Sequence, residues 1–95
     1  MTRDEILATV HAHEPELREL RVRELALFGS HARGDAALSS DIDFVVEFDQ
    51  KSFDNYMGVL ELLERLFARR IDLVVKSAIK PRLRERILGE AVRAA

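Results

Sequence analysis

Residues Leu27 to Val46 read LFGSHARGDAALSSDIDFVV. An apolar run ends in Gly29-Ser30, and another begins with two aspartates flanking one isoleucine. Side chains two apart on a strand point to the same face. Asp41 and Asp43 therefore share one face, and Ile42, Phe44 and Val46 point to the other, into the core. Two carboxylates that close repel, and one protonates more easily unless a cation lies between them.

The flanking chain supplies the frame for these strands. Thr2 and Glu5 fit a capping box, and Ile6, Leu7 and Val10 share a helical face. Residues 3–20 are predicted helical, with a break near Pro15. Val22 to Phe28 is predicted as a first strand. Ser30 to Gly34 forms one helical turn, followed by a polar loop over 35–40. Asp41 to Phe48 is a second strand and 49–54 a connection. Asn55 to Arg69 carries Tyr56, Val59, Leu60, Leu63, Leu66 and Phe67 at helical spacing. Arg70 to Lys76 is a third strand. Pro81 opens a last helix, whose Leu83, Ile87, Leu88, Ala91 and Val92 are expected to face inward.

A helix between strands two and three favours a parallel pair, and the short link between strands one and two permits an antiparallel one. The predicted fold class is α+β, a two-layer α/β arrangement. A small mixed sheet carries helices packed mainly on one face, and its other face stays partly open for a site. Asp72, between Ile71 and Leu73, then lands beside Asp41 and Asp43. Magnesium suits such carboxylates, because it takes one or two of them together with water and phosphate oxygens. Three carboxylates on one face suit two metal ions. Gly29 lets a phosphate approach the backbone closely. Ser30 brings a hydroxyl and the free N–H groups of a helical turn, and Arg33 is within reach of the same phosphates.

Composition narrows the class. The chain has 95 residues, 47% hydrophobic and 34% charged, as expected of a single globular domain over 1–95. Its net charge of −2 disfavours a polyanion-coating role. Without cysteine, disulfides and thiolate metal sites are excluded, and a cytoplasmic location is expected. No signal peptide, membrane segment, repeat or low-complexity tract is read. From Lys76 onward six basic residues face two acidic ones, a net +4 against −6 for the rest. Such asymmetry orients a partner; the plainer reading is a solvated basic helix.

The spacing Gly29-Ser30, ten residues, Asp41-Ile42-Asp43 resembles the Gly-Ser-x10-Asp-x-Asp signature of the DNA polymerase beta-like nucleotidyltransferases. The segment LALFGSHARGD resembles that family's xLFGSxARG, and RIDLVV its third-carboxylate strand. The resemblance is strongest to the minimal nucleotidyltransferases. It implies a nucleotidyltransferase fold and transfer of AMP from ATP to a hydroxyl. Asp41, Asp43 and Asp72 would be the catalytic and metal-binding residues for two Mg2+ ions, with Asp72 also the base. Gly29, Ser30 and Arg33 would bind the nucleotide. His31 departs from the family's usual Arg or Tyr, which alters the expected triphosphate contact. Minimal nucleotidyltransferases of this kind are commonly antitoxins that adenylylate a tyrosine of a HEPN-type ribonuclease toxin encoded nearby, so the implied partner is such a toxin. No membrane or direct nucleic-acid partner is expected.

Other readings compete. The chain is alternatively a non-catalytic antitoxin acting by stoichiometric binding, or transfers nucleotide to a small molecule or an RNA end. Asp41 and Asp43 alone would suit a structural cap, and Asp72 would suit pairing with Arg69 or Arg70. Tyr56 and Phe67 read as core, with a nucleotide-base pocket as the alternative. His11, His13 and His31 do not read as a metal cluster, and His11 and His13 are expected to be solvated.

Overall fold

A computed structural model describes residues 1–95. Four strands, β1 (Val22–Phe28), β2 (Ile42–Phe48), β3 (Ile71–Val75) and β4 (Val92–Arg93), form one sheet in the order β3-β2-β1-β4. β1 and β2 run antiparallel, and β2 and β3 run parallel. The parallel pair is joined by helix α4 (Phe53–Phe67). The mixed sheet is the one expected, except for β4.

Local chemistry sets the helix limits. In α1 (Arg3–Ala12) the Glu5 amide donates to Thr2 Oγ1 at 3.2 Å, and the Thr2 amide donates to Glu5 Oε1 at 2.7 Å. This capping box satisfies two otherwise free amides. The chain breaks at His13, and Pro15 lies in the first turn of α2 (Glu14–Glu19), where its missing N–H costs no hydrogen bond. α4 starts two residues earlier than expected, because the Ser52 hydroxyl caps it by accepting from the Asn55 amide at 3.0 Å. A five-residue helix, α3 (Gly29–Arg33), follows β1 directly and stops at Gly34, whose φ is +85°.

The sheet has two unlike faces. On one, Leu27, Ile42, Phe44 and Leu73 pack beneath Ile6 and Val10 of α1, Leu17 of α2 and Val59, Leu63 and Phe67 of α4. This is the main core, with the Phe44 and Phe67 rings stacked at 6.1 Å between centroids. Ile42, Phe44 and Val46 point into it as their alternation requires. The opposite face holds a smaller cluster of Ala26, Phe28, Val45 and Ile79, packed against Ile87, Leu88 and Ala91.

That second cluster corrects the reading of the last helix. α5 (Pro81–Glu90) has no buried residue and lies over the second face, away from α1, α2 and α4. Leu83 stays 38% exposed and does not face inward. Val92 leaves the helix and pairs with Leu27 in β4. The last residues continue this edge: the Ala94 amide donates to the Leu25 carbonyl at 2.8 Å, and the Leu25 amide donates to the Ala95 carbonyl at 3.0 Å. Alanine favours helix in isolation, but buried Ala94 and Ala95 satisfy the open edge of β1 instead.

Candidate active site

The register of the strands builds the site. Phe28 is the Cα partner of Asp43, and Asp43 is the Cα partner of Asp72. Partners in adjacent strands project to the same face, so Asp43 and Asp72 stand side by side on the second face. β2 begins at Ile42, one residue after the expected start, so Asp41 sits in the loop just before the strand and is exposed. The Ile42 amide donates to the Arg70 carbonyl at 3.2 Å, which fixes the entry of β2 against β3.

The electrostatics record the crowding. Asp43 is pushed up from 3.8 to about 6, first by burial, then by the charge of Asp72 and a hydrogen bond shared with it, then by the charge of Asp41. Arg33 pulls it back. Asp43 thus feels Asp72 most strongly of its charged neighbours, with Asp41 close enough to add to it. The three side chains do not close on one common point as a ready-made cage. Arg69 does not pair with Asp72; its Nη1 lies 3.3 Å from His31 Nε2.

Gly29 locks the strand ends together. Its φ is +74°, a conformation that favours glycine. A Cβ at this position would overlap the Asp43 carboxylate oxygen, so only glycine lets the β1–α3 turn lie against Asp43. Gly29, Ser30, Arg33 and Asp43 border a cavity of about 360 Å3, whose far wall is Leu83, Arg86, Ile87 and Glu90 of α5. That volume lies in the range of small-ligand pockets.

The wall formed by α5 was not foreseen from sequence. Glu90 Oε1 accepts from the Gly29 amide at 3.2 Å, and both Glu90 oxygens accept from Arg33 Nη1, at 3.1 and 3.3 Å. Arg33 Nε also donates to Asp35 Oδ2 at 3.2 Å. Asp35 and then Glu90 hold the Arg33 pKa above its usual value. Glu90 belongs to no local motif, being 61 residues from Gly29 in sequence.

His31 lies inside the fold. It is 3% exposed, does not line the cavity beside Asp43 and borders a separate hollow near Thr2 and Arg3. Burial first, then the charge of Arg69, lowers its pKa. His11 is exposed, as expected, and its Nδ1 lies 3.1 Å from Glu14 Oε2. His13 is half-buried, with Nδ1 2.8 Å from the Thr9 carbonyl oxygen. The Tyr56 hydroxyl donates to the Leu73 carbonyl at 2.6 Å while its ring packs on the main core, which is the core reading.

A second cavity on the same face, about 270 Å3, has Glu24, Glu47, Lys76 and Arg93 among its lining. Its charges are already matched, Lys76 to Glu47 at 3.5 Å and Arg93 to Glu24 at 3.8 Å. It contains none of the aspartates singled out from sequence.

The nucleotidyltransferase domain family matches residues 10–94. The chain belongs to that family. Among its relatives, this nucleotidyltransferase-domain chain is 40% identical over 94 residues to the protein adenylyltransferase MntA of Thermococcus cleftensis, covering 97% of this chain and 95% of that one. A solved structure described as a minimal nucleotidyltransferase shares 31% identity with it at a TM-score of 0.84, over 97% of this chain and 95% of the other. The fold also recurs in a tri-AMPylated Shewanella oneidensis HEPN toxin complex with its MNT antitoxin, at 16% identity and a TM-score of 0.65, over 94% of this chain and 71% of that one. The mixed sheet with its helices is thus the nucleotidyltransferase fold, and the chain is of an enzyme family. No helix is long and apolar enough to cross a membrane.

Proposed function

We propose that this chain transfers AMP from ATP to a tyrosine hydroxyl of a partner HEPN toxin and thereby neutralises it. The observation that carries this is the crowding of Asp72 and Asp41 on Asp43, the one aspartate of the three that lines the cavity. Asp43 is raised to about 6 mainly by burial and by Asp72, with Asp41 adding to it. A half-buried carboxylate crowded by two exposed ones suits a divalent cation. The donor set is all oxygen, as magnesium requires, and Asp41, Asp43 and Asp72 would hold it. Bound there, the ions neutralise charge on the reacting phosphates.

The chain's own residues do the rest. The Gly29 amide, Ser30 and the Arg33 guanidinium receive the β- and γ-phosphates and fix the triphosphate along the cavity. The α-phosphorus is then held toward the aspartates. The partner's tyrosine oxygen attacks it as its proton passes to Asp72. A new phosphorus–oxygen bond forms, the bond to the bridging oxygen breaks, and pyrophosphate leaves. Asp41 and Asp43, at the entry of β2, would hold the divalent cation beside the reacting centre.

The choice of acceptor rests on two supports. One is the 40% identity to a protein adenylyltransferase. The other is the basic segment from Lys76, a net +4, which suits docking to an acidic surface. The absence of cysteine fits a reducing cytoplasm as the setting. The competing reading is neutralisation by docking alone. Co-expression of the toxin with the double variant Asp41→Asn/Asp43→Asn separates the two. Loss of protection by a folded double variant is expected; full protection would establish docking.

A further inference from the structure

Glu90 holds the very groups assigned above to the phosphates. Its carboxylate accepts from the Gly29 amide at 3.2 Å and from Arg33 Nη1 at 3.1 Å. A carboxylate and a phosphate ask for the same thing here, an anionic oxygen between a backbone N–H and a guanidinium. Both cannot occupy it at once. We propose that Glu90 is a built-in competitor of the nucleotide: it fills the phosphate seat in the nucleotide-free protein and sets nucleotide affinity by having to leave. This inference rests on the reading of the cavity as a nucleotide site.

The rest of α5 makes the exchange feasible. No α5 residue is buried, so a shift of its last turn opens no hole in the main core. The Glu90 side chain is 23% exposed and can swing toward solvent. Arg86, one helical turn before Glu90, lines the same cavity and makes no ion pair with any carboxylate. When Glu90 swings out, the cavity keeps Arg33 and Arg86 and loses its one carboxylate on the phosphate side. Its charge then changes from balanced to cationic. A site occupied by its own side chain binds ligand more weakly by the fraction of time it is blocked. Removing the blocking charge should therefore tighten binding.

The test is equilibrium binding to the full chain of two probes, a non-hydrolysable ATP analogue with Mg2+ and inorganic tripolyphosphate. Wild type is compared with Glu90→Gln and Glu90→Ala, and circular dichroism verifies the fold of each. Glu90→Gln keeps the size and loses the charge, so it decides the question even if Glu90→Ala loosens α5. Both probes are expected to bind Glu90→Gln about tenfold more tightly, the scale of one like-charge contact at a partly screened site. In transfer assays KM for ATP should fall by a similar factor with kcat little changed. Equal or weaker binding by a folded Glu90→Gln would overturn the competitor role and leave the nucleotide site standing, with Glu90 a brace for Gly29. Failure of wild type and both variants to bind either probe would overturn both.

Discussion

Neutralising Asp43 should make the metal-free protein more stable while abolishing its transfer activity. In the folded chain this carboxyl titrates at about 6 against an ordinary 3.8. Between those values the native state holds a proton that the unfolded chain has lost, so stability falls as pH rises through the window. Above about pH 7 the whole cost is present, and below about pH 4 it is gone. A displacement of that size corresponds to about 3 kcal/mol in the absence of screening. Asp43 is half-buried, and solvent screening reduces the figure to about 1–2 kcal/mol. Asparagine carries no charge at any pH and its amide donates to Asp72, so Asp43→Asn recovers this amount. For a domain of this length that is a rise in Tm of about 5–10 °C. The assay is thermal unfolding by circular dichroism in a metal chelator at pH 4, 6 and 8. The gain should be absent at pH 4, partial at pH 6 and full at pH 8. A variant no more stable than wild type at pH 8, or one whose gain is the same at all three pH values, would refute the reasoning.

Gly29→Ala should inactivate the protein and lower its stability by about 1–2 kcal/mol, from the positive φ alone, with the added methyl displacing the Asp43 carboxylate; steady-state kinetics and urea unfolding measure both effects. Arg33→Ala should raise KM for ATP about tenfold or more through loss of a charged hydrogen bond while leaving kcat within a few-fold, as an initial-rate series in ATP would show. Tyr56→Phe removes the donor to the Leu73 carbonyl at 2.6 Å and should cost about 1 kcal/mol with activity retained, since the hydroxyl lies outside the cavity; a drop in Tm without a change in kcat is the expected pair of readings.

The parts of the site that were legible in sequence are those fixed by short-range geometry. Strand periodicity alone put Asp43 opposite Ile42 and Phe44, and the helix after β2 implied the parallel partner that brings in Asp72. Gly29-Ser30 was legible because a strand must end there. What could not be read depends on contacts distant in sequence. The exposure of Leu83 and the placement of α5 on the second face follow from where the sheet still had apolar surface, at Ala26, Phe28 and Val45. β4 has two residues, too few for any alternation to show, and its alanine-rich surroundings favour helix. His31 lies in a polar stretch that reads as surface, yet it is covered because α3 turns it toward Arg69, 38 residues away. Glu90 sits in a basic segment where it registers only as a reduction in charge, and its role emerges once α5 is laid beside Gly29.

The most direct measurement is the intact mass of the proposed HEPN-type partner, after incubation of the two with ATP and Mg2+. The account predicts a gain of one or more adenylate masses on a tyrosine, with pyrophosphate released in equal amount and neither product formed by the Asp41→Asn/Asp43→Asn variant. A partner that is neutralised yet keeps its original mass would contradict it.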